Sequence, residues 1–473
     1  MAFKAFDLII VGSGFASTFF LHRALRYLGP KARILVLEAG RLDSHAWQLQ
    51  HRQNASTPYL DTYENQTPDK PWVYNPGFGG SSNCWWACTP RMLPADFELK
   101  SRYGIGRDWP IGYDELEEYY CDAEELMLVS GPSSDSPFPR SRPYPQPPHN
   151  FTDPDKLLKK GHPDHFFVQP TARARVATKR RGPCCSTSTC RLCPINAKFT
   201  IQNEMAHLFE DSRVTLELEA PVLQVITKAG QTSGVLYKKD GREIEALGSA
   251  VALGANALFN PFILQQSGIK HPLLGLHLTE QSSITVTADL DGVDNFQGST
   301  SITGHGYLHY DGEHRRERGA ALIETMNIPT LRHEKGRWRQ RMQLKFIFEN
   351  LLETGNRVVP GNSMKPRTTW SGDSFYAKRS MKIIRELAER FLEPLPVEHL
   401  QVPGRPNQTE SHILCTTIMG ETPSDSIVDS ALVHHQIRNL LVLGGSVFPT
   451  ASPANPTLTL SALSLRAADL FFT

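Results

Sequence analysis

Two kinds of chemistry are available to the side chains of this sequence. His412 opens the apolar run HILCTTIMG, and Asn455 stands between Pro453 and Pro456 in a loop that leads into a helix. A neutral imidazole, with an ordinary pKa near 6.5, can take the proton of a hydroxyl group. An asparagine amide can hold the same oxygen by hydrogen bonding without competing for that proton. The two residues are far apart in the chain, so only a fold that returns twice to one place can join them. The second kind is sulfur chemistry. Cys184, Cys185, Cys190 and Cys193 make up half of the 8 cysteines, fall in one short segment, and are followed by Pro194. Such clustering suggests soft-ligand metal binding. A zinc knuckle spreads its ligand pairs further apart, and a disulfide or a reduced structural loop stays open as an alternative.

Positioning such groups needs a scaffold, and its start is readable. Residues 6–11 (FDLIIV) read as a short buried strand, followed by Gly12-Ser13-Gly14 and a helix over 16–28. A second strand over 32–37 ends at Glu38. This is the opening βαβ of a dinucleotide-binding fold. Gly12 permits the tight turn, Gly14 admits a pyrophosphate to the backbone, and the first helical residues, Phe15 and Ala16, offer free amides to it. Ser17 replaces the usual third glycine and is small enough for close helix–strand packing. Glu38 is placed to accept hydrogen bonds from ribose hydroxyls. The motif does not separate FAD from NAD.

Downstream, strands are expected over 212–220, 222–227, 232–238 and 243–252, residues 252–269 read as a strand end, a Gly turn and an amphipathic helix, and a further amphipathic helix occupies 378–391. Residues 61–97 read as a long functional loop, and 130–155, dense in Pro and Ser, as an excursion over the surface. A chain of 473 residues is too long for one compact core. With 50 basic residues against 49 acidic ones it gives no reason to propose a nucleic-acid partner. No apolar run is long enough to span a bilayer. The first apolar run belongs to a strand and lacks a signal peptide's basic lead, so the fold is expected to start almost at Met1. The basic stretch Lys179-Arg180-Arg181 reads as a solvated turn, with a docking patch for an acidic electron-transfer protein as the rival.

Gly79-Gly80-Ser81-Ser82-Asn83-Cys84-Trp85-Trp86, with the later LPADF, resembles the flavin-contacting loop of the glucose–methanol–choline (GMC) oxidoreductases. The stretch from His412 to the Asn455-Pro456-Thr457 loop resembles the same family's C-terminal signature. The resemblance is nearest to the pyranose-oxidising and iron–sulfur sugar dehydrogenase branches. It implies an α/β protein with an α+β substrate part: a Rossmann-like FAD-binding domain with an inserted substrate domain on an antiparallel sheet. The expected division is 1–97, 201–280 and 405–473 for the FAD domain, 98–200 for a flavin-covering and cysteine segment, and 281–404 for the substrate domain. FAD would be held by Gly12, Gly14, Phe15, Ala16, Glu38, Gly79, Gly80, Ser81, Asn83, Cys84, Gly444, Ser446, Pro456 and Thr457. Paired glycines let the backbone lie against the flavin ring, and a helix starting near Thr457 would face its pyrimidine carbonyl. Cys84 takes the place of a histidine that links covalently to flavin in some members; a thioether and a plain buried cysteine both remain open.

The resemblance also implies a reaction. His412 would be the general base, Asn455 would orient the substrate, and a hydride would pass from an alcohol carbon to flavin N5. Ile413 and Cys415 depart from the family's pattern, which usually has glycine at the latter position. Iron–sulfur members end their cysteine motif in Cys-Pro-Ile-Gly-Ala and hold a 3Fe-4S cluster. That maps to Cys184, Cys185 and Cys190, with Cys193 as the alternative ligand. The expected activity is oxidation of a primary or secondary alcohol, a sugar or glycoside by preference, with electrons leaving to an external acceptor protein or cytochrome subunit. Rival readings are an oxidase reducing O₂ directly with structural cysteines, a lyase retaining FAD without redox use, and a binding subunit. The expected address is cytoplasmic, or periplasmic if exported folded with a signal-bearing partner.

Overall fold

The computed structural model describes residues 5–132, 135–362 and 364–473; the expected start at Met1 and Ser133-Ser134 of the expected excursion lie outside them. Strand β1 (Leu8–Val11), helix α1 (Phe15–Tyr27) and strand β2 (Ile34–Leu37) form the opening unit. Both strands are apolar throughout and buried on both faces, as a central parallel sheet requires. That sheet has five strands in the order Leu440–Val442, Val251–Leu253, β1, β2, Val214–Glu217, all parallel. Its strands thus come from the beginning, middle and end of the chain. Helix α1 packs along the C-terminal helix, Thr457–Phe472. Both lie in the main core, with Phe19, Phe20, Leu458 and Leu465 almost fully buried.

A second sheet is antiparallel, with the order Val397–Gln401, Ser282–Leu290, Arg341–Phe348, Ala321–Met326, Ile302–His309, Phe166–Val168. Side chains alternate along each strand. Ile284, Val286, Ile323, Leu344 and Phe346 face one way and pack with Ile384, Leu387 and Phe391 in a separate core. Leu322, Ile347 and Tyr307 face the other way and join the main core. His305, Glu324 and Lys345 alternate onto this second face. The register sets His305 opposite Glu324 and Glu324 opposite Lys345. Three polar side chains from three strands therefore form one row across the sheet.

Three local expectations need correction. The single strand over 243–252 is two, Arg242–Leu247 and Val251–Leu253, in different sheets. Gly248 lies at the break, where a Cβ would come within 2.7 Å of Ile9. The helix over 378–391 is also two, Phe375–Lys382 and Ile384–Leu392. The 130–155 segment does not ride over the surface. Phe138, Tyr144, Gln146 and His149 are buried, Phe138 stacks edge-on against Tyr307, and Arg140 pairs with Glu124 at 2.7 Å. Aromatic anchors and ion pairs give a Pro-rich segment a fixed path where periodicity is silent.

Candidate active site

The glycine turn and the paired-glycine loop meet. Gly12 has φ +90°, and a Cβ there would sit 2.7 Å from the Gly254 carbonyl oxygen. The Ser13 amide and hydroxyl donate to Glu38 Oε2 at 3.0 and 2.7 Å, and Glu38 Oε1 accepts from the Gly40 amide. The Gly79 amide in turn donates to Ser13 Oγ at 3.0 Å. Gly80, with φ +52°, lies against Gly14, where a Cβ would be 3.1 Å from the Gly14 Cα. Ser17 Oγ donates to the Val11 carbonyl, closing α1 onto β1 in place of the missing third glycine. Around this junction Asn83 Nδ2 donates to Phe78 O, and Ser81 Oγ accepts from the Asn75 amide. Gly444 sits beside Ala16, and Ser446 Oγ accepts from Asn260 Nδ2. Cys84 is partly buried, and burial pushes its thiol up, so it stays protonated at neutral pH.

Helix α1 and the C-terminal helix both begin here without side-chain caps. Neither Gly14, which precedes Phe15, nor Pro456, which precedes Thr457, supplies one. Buried helix N-termini normally find partners for their first amides. Two such ends, with their partial positive charge, suit a cofactor carrying a pyrophosphate and an electron-accepting ring. A Cβ at Gly14 would meet nothing within 4 Å, so the turn has open space on that side. These features fit FAD.

The second end of the site gathers buried polar groups. Residues 279–281 pair with 412–414 through an antiparallel bridge between Thr279 and Leu414. Two residues along that register Gln281 faces His412, and its Oε1 lies 3.1 Å from His412 Nδ1. Glu280 Oε2 accepts from the His412 amide at 3.1 Å, and its other oxygen pairs with Lys70. Gln281 Nε2 donates to Ser452 O at 2.7 Å and to Ala454 O at 3.0 Å. One side chain thus touches both the His412 segment and the loop carrying Asn455. Asn455 Nδ2 lies 3.5 Å from Glu324 Oε1, while its Oδ1 is buried without a partner. Both ring nitrogens of His305 and the Tyr307 hydroxyl are likewise buried and unpaired.

The charge row sets the electrostatics. Glu324 lies 3.7 Å from His305 and 3.9 Å from Lys345, and Lys345 donates to Glu410 at 3.1 Å. Burial pushes Glu324 up, but His305 and Lys345 more than offset it and hold the carboxyl below its usual range. Burial pushes the His412 imidazole down to about 4, against the upward pull of Glu410 and Glu324 and with the help of Lys345. At neutral pH His412 is therefore an uncharged imidazole, as a proton acceptor must be. Residue types and spacing alone do not single out Gln281, Glu280, Glu324, Lys345 or His305. Alternation in the strands is the one signal that could have flagged Glu324 and Lys345, as polar residues opposite a core face.

The four clustered cysteines do not form a group of metal ligands. Cys185 is exposed with its sulfur against Thr187, Cys184 is partly buried, and Cys190 and Cys193 are buried. None forms a disulfide. Among the described residues no three His, Cys, Asp or Glu side chains stand close enough to hold a metal ion. The backbone is left-handed at Ser186 and Ser188, between the two cysteine pairs. Burial pushes the Cys193 thiol up, but the Arg173 guanidinium and the Ala197 amide more than offset this and bring it below its ordinary value. As arranged here, these residues do not fit an iron–sulfur cluster.

A family model described as GMC oxidoreductase matches residues 360–464, a span containing both His412 and Asn455. The fructose dehydrogenase large subunit of Gluconobacter japonicus is 25% identical over 98% of this chain and 97% of its own. The 2-methyl-1,2-propanediol dehydrogenase of Mycolicibacterium austroafricanum is 24% identical over 84% of this chain and 81% of its own. Pyridoxine 4-oxidase from Mesorbium loti shares the fold, with a TM-score of 0.69 at 16% identity, covering 98% of this chain and 99% of that one. A formate oxidase of Aspergillus oryzae, studied for modification of its FAD, does so with a TM-score of 0.68 at 15% identity, covering 99% and 98%. No helix is long and apolar enough to cross a membrane among the described residues. The family match around the His412 and Asn455 segments and relatives aligned along nearly the whole chain make this chain similar to the GMC oxidoreductases, and the solved structures show that it shares their fold.

Proposed function

We propose that this chain oxidises a primary or secondary alcohol of a sugar or glycoside, with FAD as cofactor and His412 as general base. One observation carries the assignment of roles: Asn455, with a buried unpaired Oδ1, lies beside Glu324, and Gln281 joins the carbonyl of its neighbour Ala454 to an imidazole held neutral. FAD held at the two uncapped helix starts would supply the hydride acceptor. Gly12, Gly14 and Gly80 supply the close approach, the amides of Phe15 and Ala16 and of Thr457 offer donors, and Glu38 is placed for hydroxyls. His412 Nε2 takes the hydroxyl proton as the carbon is oxidised, and Asn455 Oδ1 and Nδ2 orient the same group. The row of His305, Glu324 and Lys345 gives the substrate face donors and acceptors suited to a polyol. The sugar preference is supported by the Trp85-Trp86 loop and by relatives that include, besides the fructose dehydrogenase subunit, a C-glycoside 3-oxidase of Arthrobacter globiformis, 25% identical over 66% of this chain and 61% of its own.

Two exits for the electrons follow from the sequence, a cysteine-held cluster that passes them to an external acceptor or direct reduction of O₂. The arrangement of Cys184, Cys185, Cys190 and Cys193 favours the second, with these cysteines structural. The test is anaerobic mixing of FAD-loaded protein with a panel of sugars, glycosides and simple alcohols, followed at the flavin bands. A sugar should bleach the flavin, and His412→Ala should slow that bleaching by about 100-fold to 10,000-fold. Failure of every alcohol to bleach it would overturn the proposal. Oxygen consumption against dye reduction, with iron analysis of protein purified without oxygen, separates the two exits.

A further inference from the structure

We infer that Gln281 is a positioning residue that fixes His412 as its Nδ1–H tautomer and, through the same amide, ties the imidazole to the loop carrying Asn455. The argument is one of donors and acceptors. Gln281 Nε2 lies 2.7 Å from Ser452 O and 3.0 Å from Ala454 O. Both partners are backbone carbonyls, which only accept. The amide must therefore present its NH₂ to them, and both of its hydrogens are used. Turned round, it would set its own oxygen against two carbonyl oxygens. The amide oxygen is left for His412 Nδ1, at 3.1 Å, and it too only accepts. Nδ1 must carry the hydrogen, and in a neutral imidazole the lone pair then belongs to Nε2.

Geometry around the amide reinforces this. The antiparallel bridge between Thr279 and Leu414 sets Gln281 opposite His412, and the Glu280 carboxylate takes the His412 amide from the other side of the same strand. Gln281 is buried, so no water competes for its hydrogen bonds. The neighbouring loop is held independently, since Ser452 Oγ contacts the Tyr310 hydroxyl at 2.9 Å. A shift of the loop is thus felt at the imidazole through one amide.

The inference deepens the reading of His412 as base and rests on it for its catalytic meaning, while its tautomer statement can be tested without activity. Protein with ¹⁵N-labelled histidine, compared with His412→Asn to assign the signal, should show His412 Nδ1 protonated and Nε2 unprotonated at pH 7. Gln281→Met should mix the two tautomers and slow anaerobic flavin reduction by about tenfold or more. Gln281→Glu keeps an acceptor at Nδ1 but sets an oxygen against the Ser452 and Ala454 carbonyls, so it should keep the tautomer and move the acidic limb of kcat/KM to higher pH while freeing the loop that carries Asn455. An Nε2–H signal in the parent, or an unchanged tautomer in Gln281→Met, overturns the inference. An Nδ1–H signal with unchanged turnover in His412→Asn would support the tautomer and overturn the role of His412 as base.

Discussion

Replacing Lys345 by methionine tests the electrostatics of the site, because the expected effects on stability and on pH response both have a defined sign. The Lys345 ammonium lies 3.1 Å from Glu410 and 3.9 Å from Glu324, and its side chain is 17% exposed. It also sits 5.5 Å from the centre of the Trp86 ring. Methionine fills much of the same volume, so the main loss is charge. Two carboxylates, each almost fully buried, are then left without this cation, and removing one partner of a buried pair costs about 3–5 kcal/mol. At about 2.1 cal/mol/K per residue, unfolding of a chain this long makes that a fall of about 3–5 °C in the melting temperature. The pH response follows from the His412 imidazole, which burial lowers to about 4 and Lys345 lowers further, while Glu410 and Glu324 raise it. Without Lys345 the imidazole pKa must rise. A base works only when unprotonated, so the acidic limb of kcat/KM should move to higher pH in Lys345→Met. Well below the new pKa the unprotonated fraction, and with it the rate, falls about tenfold for each pH unit. Glu410→Gln should move the limb the other way. The assay is anaerobic flavin reduction from pH 4 to 8 beside thermal melts. If both variants move the limb in one direction, or neither moves it, this charge arrangement does not govern His412.

Gly14→Ala should leave the fold intact, since the added Cβ meets nothing within 4 Å, yet weaken FAD retention by filling the space beside the helix end; Gly12→Ala, forced to φ +90° and 2.7 Å from the Gly254 carbonyl oxygen, should lower stability by about 1–3 kcal/mol. Equal melting temperatures for these two variants would refute the distinction. Burial lowers His149, His309, His412 and His434 to about 4, so between that value and the unfolded 6.5 the unfolded chain binds more protons. Stability should therefore rise with pH across this window, by about 1.4 kcal/mol per pH unit for each such histidine, and a flat urea midpoint from pH 4.5 to 6.5 would contradict it. Alkylation mapped by mass spectrometry should mark exposed Cys185 before buried Cys190 and Cys193; equal protection of Cys184, Cys185 and Cys190, together with bound iron, would overturn the arrangement described here.

The amino-acid sequence was most legible where structure is local. Strand, glycine turn, helix, strand and acid follow one another within 8–38, and their order alone states what the backbone does there. The start of the last helix at Thr457 was equally readable, because Pro456 prepares a helical φ and cannot donate an amide. His412 and Asn455 could be recognised by type and by their flanking residues. What surrounds them could not. His305, Glu324 and Lys345 form a row only because three strands pair in one register, and a slip of one residue would turn each to the opposite core. Gln281 meets His412 across a single antiparallel bridge between segments more than a hundred residues apart, and no periodicity reports such a pairing. The cysteine segment shows the converse. Four thiols close in sequence suggest one centre, but the fold buries Cys190 and Cys193, leaves Cys185 exposed, and among the described residues brings no three metal-ligating side chains close enough to hold an ion. Short-range order follows from residue type through turn and helix chemistry; long-range juxtaposition follows from strand register and packing, which belong to the whole chain.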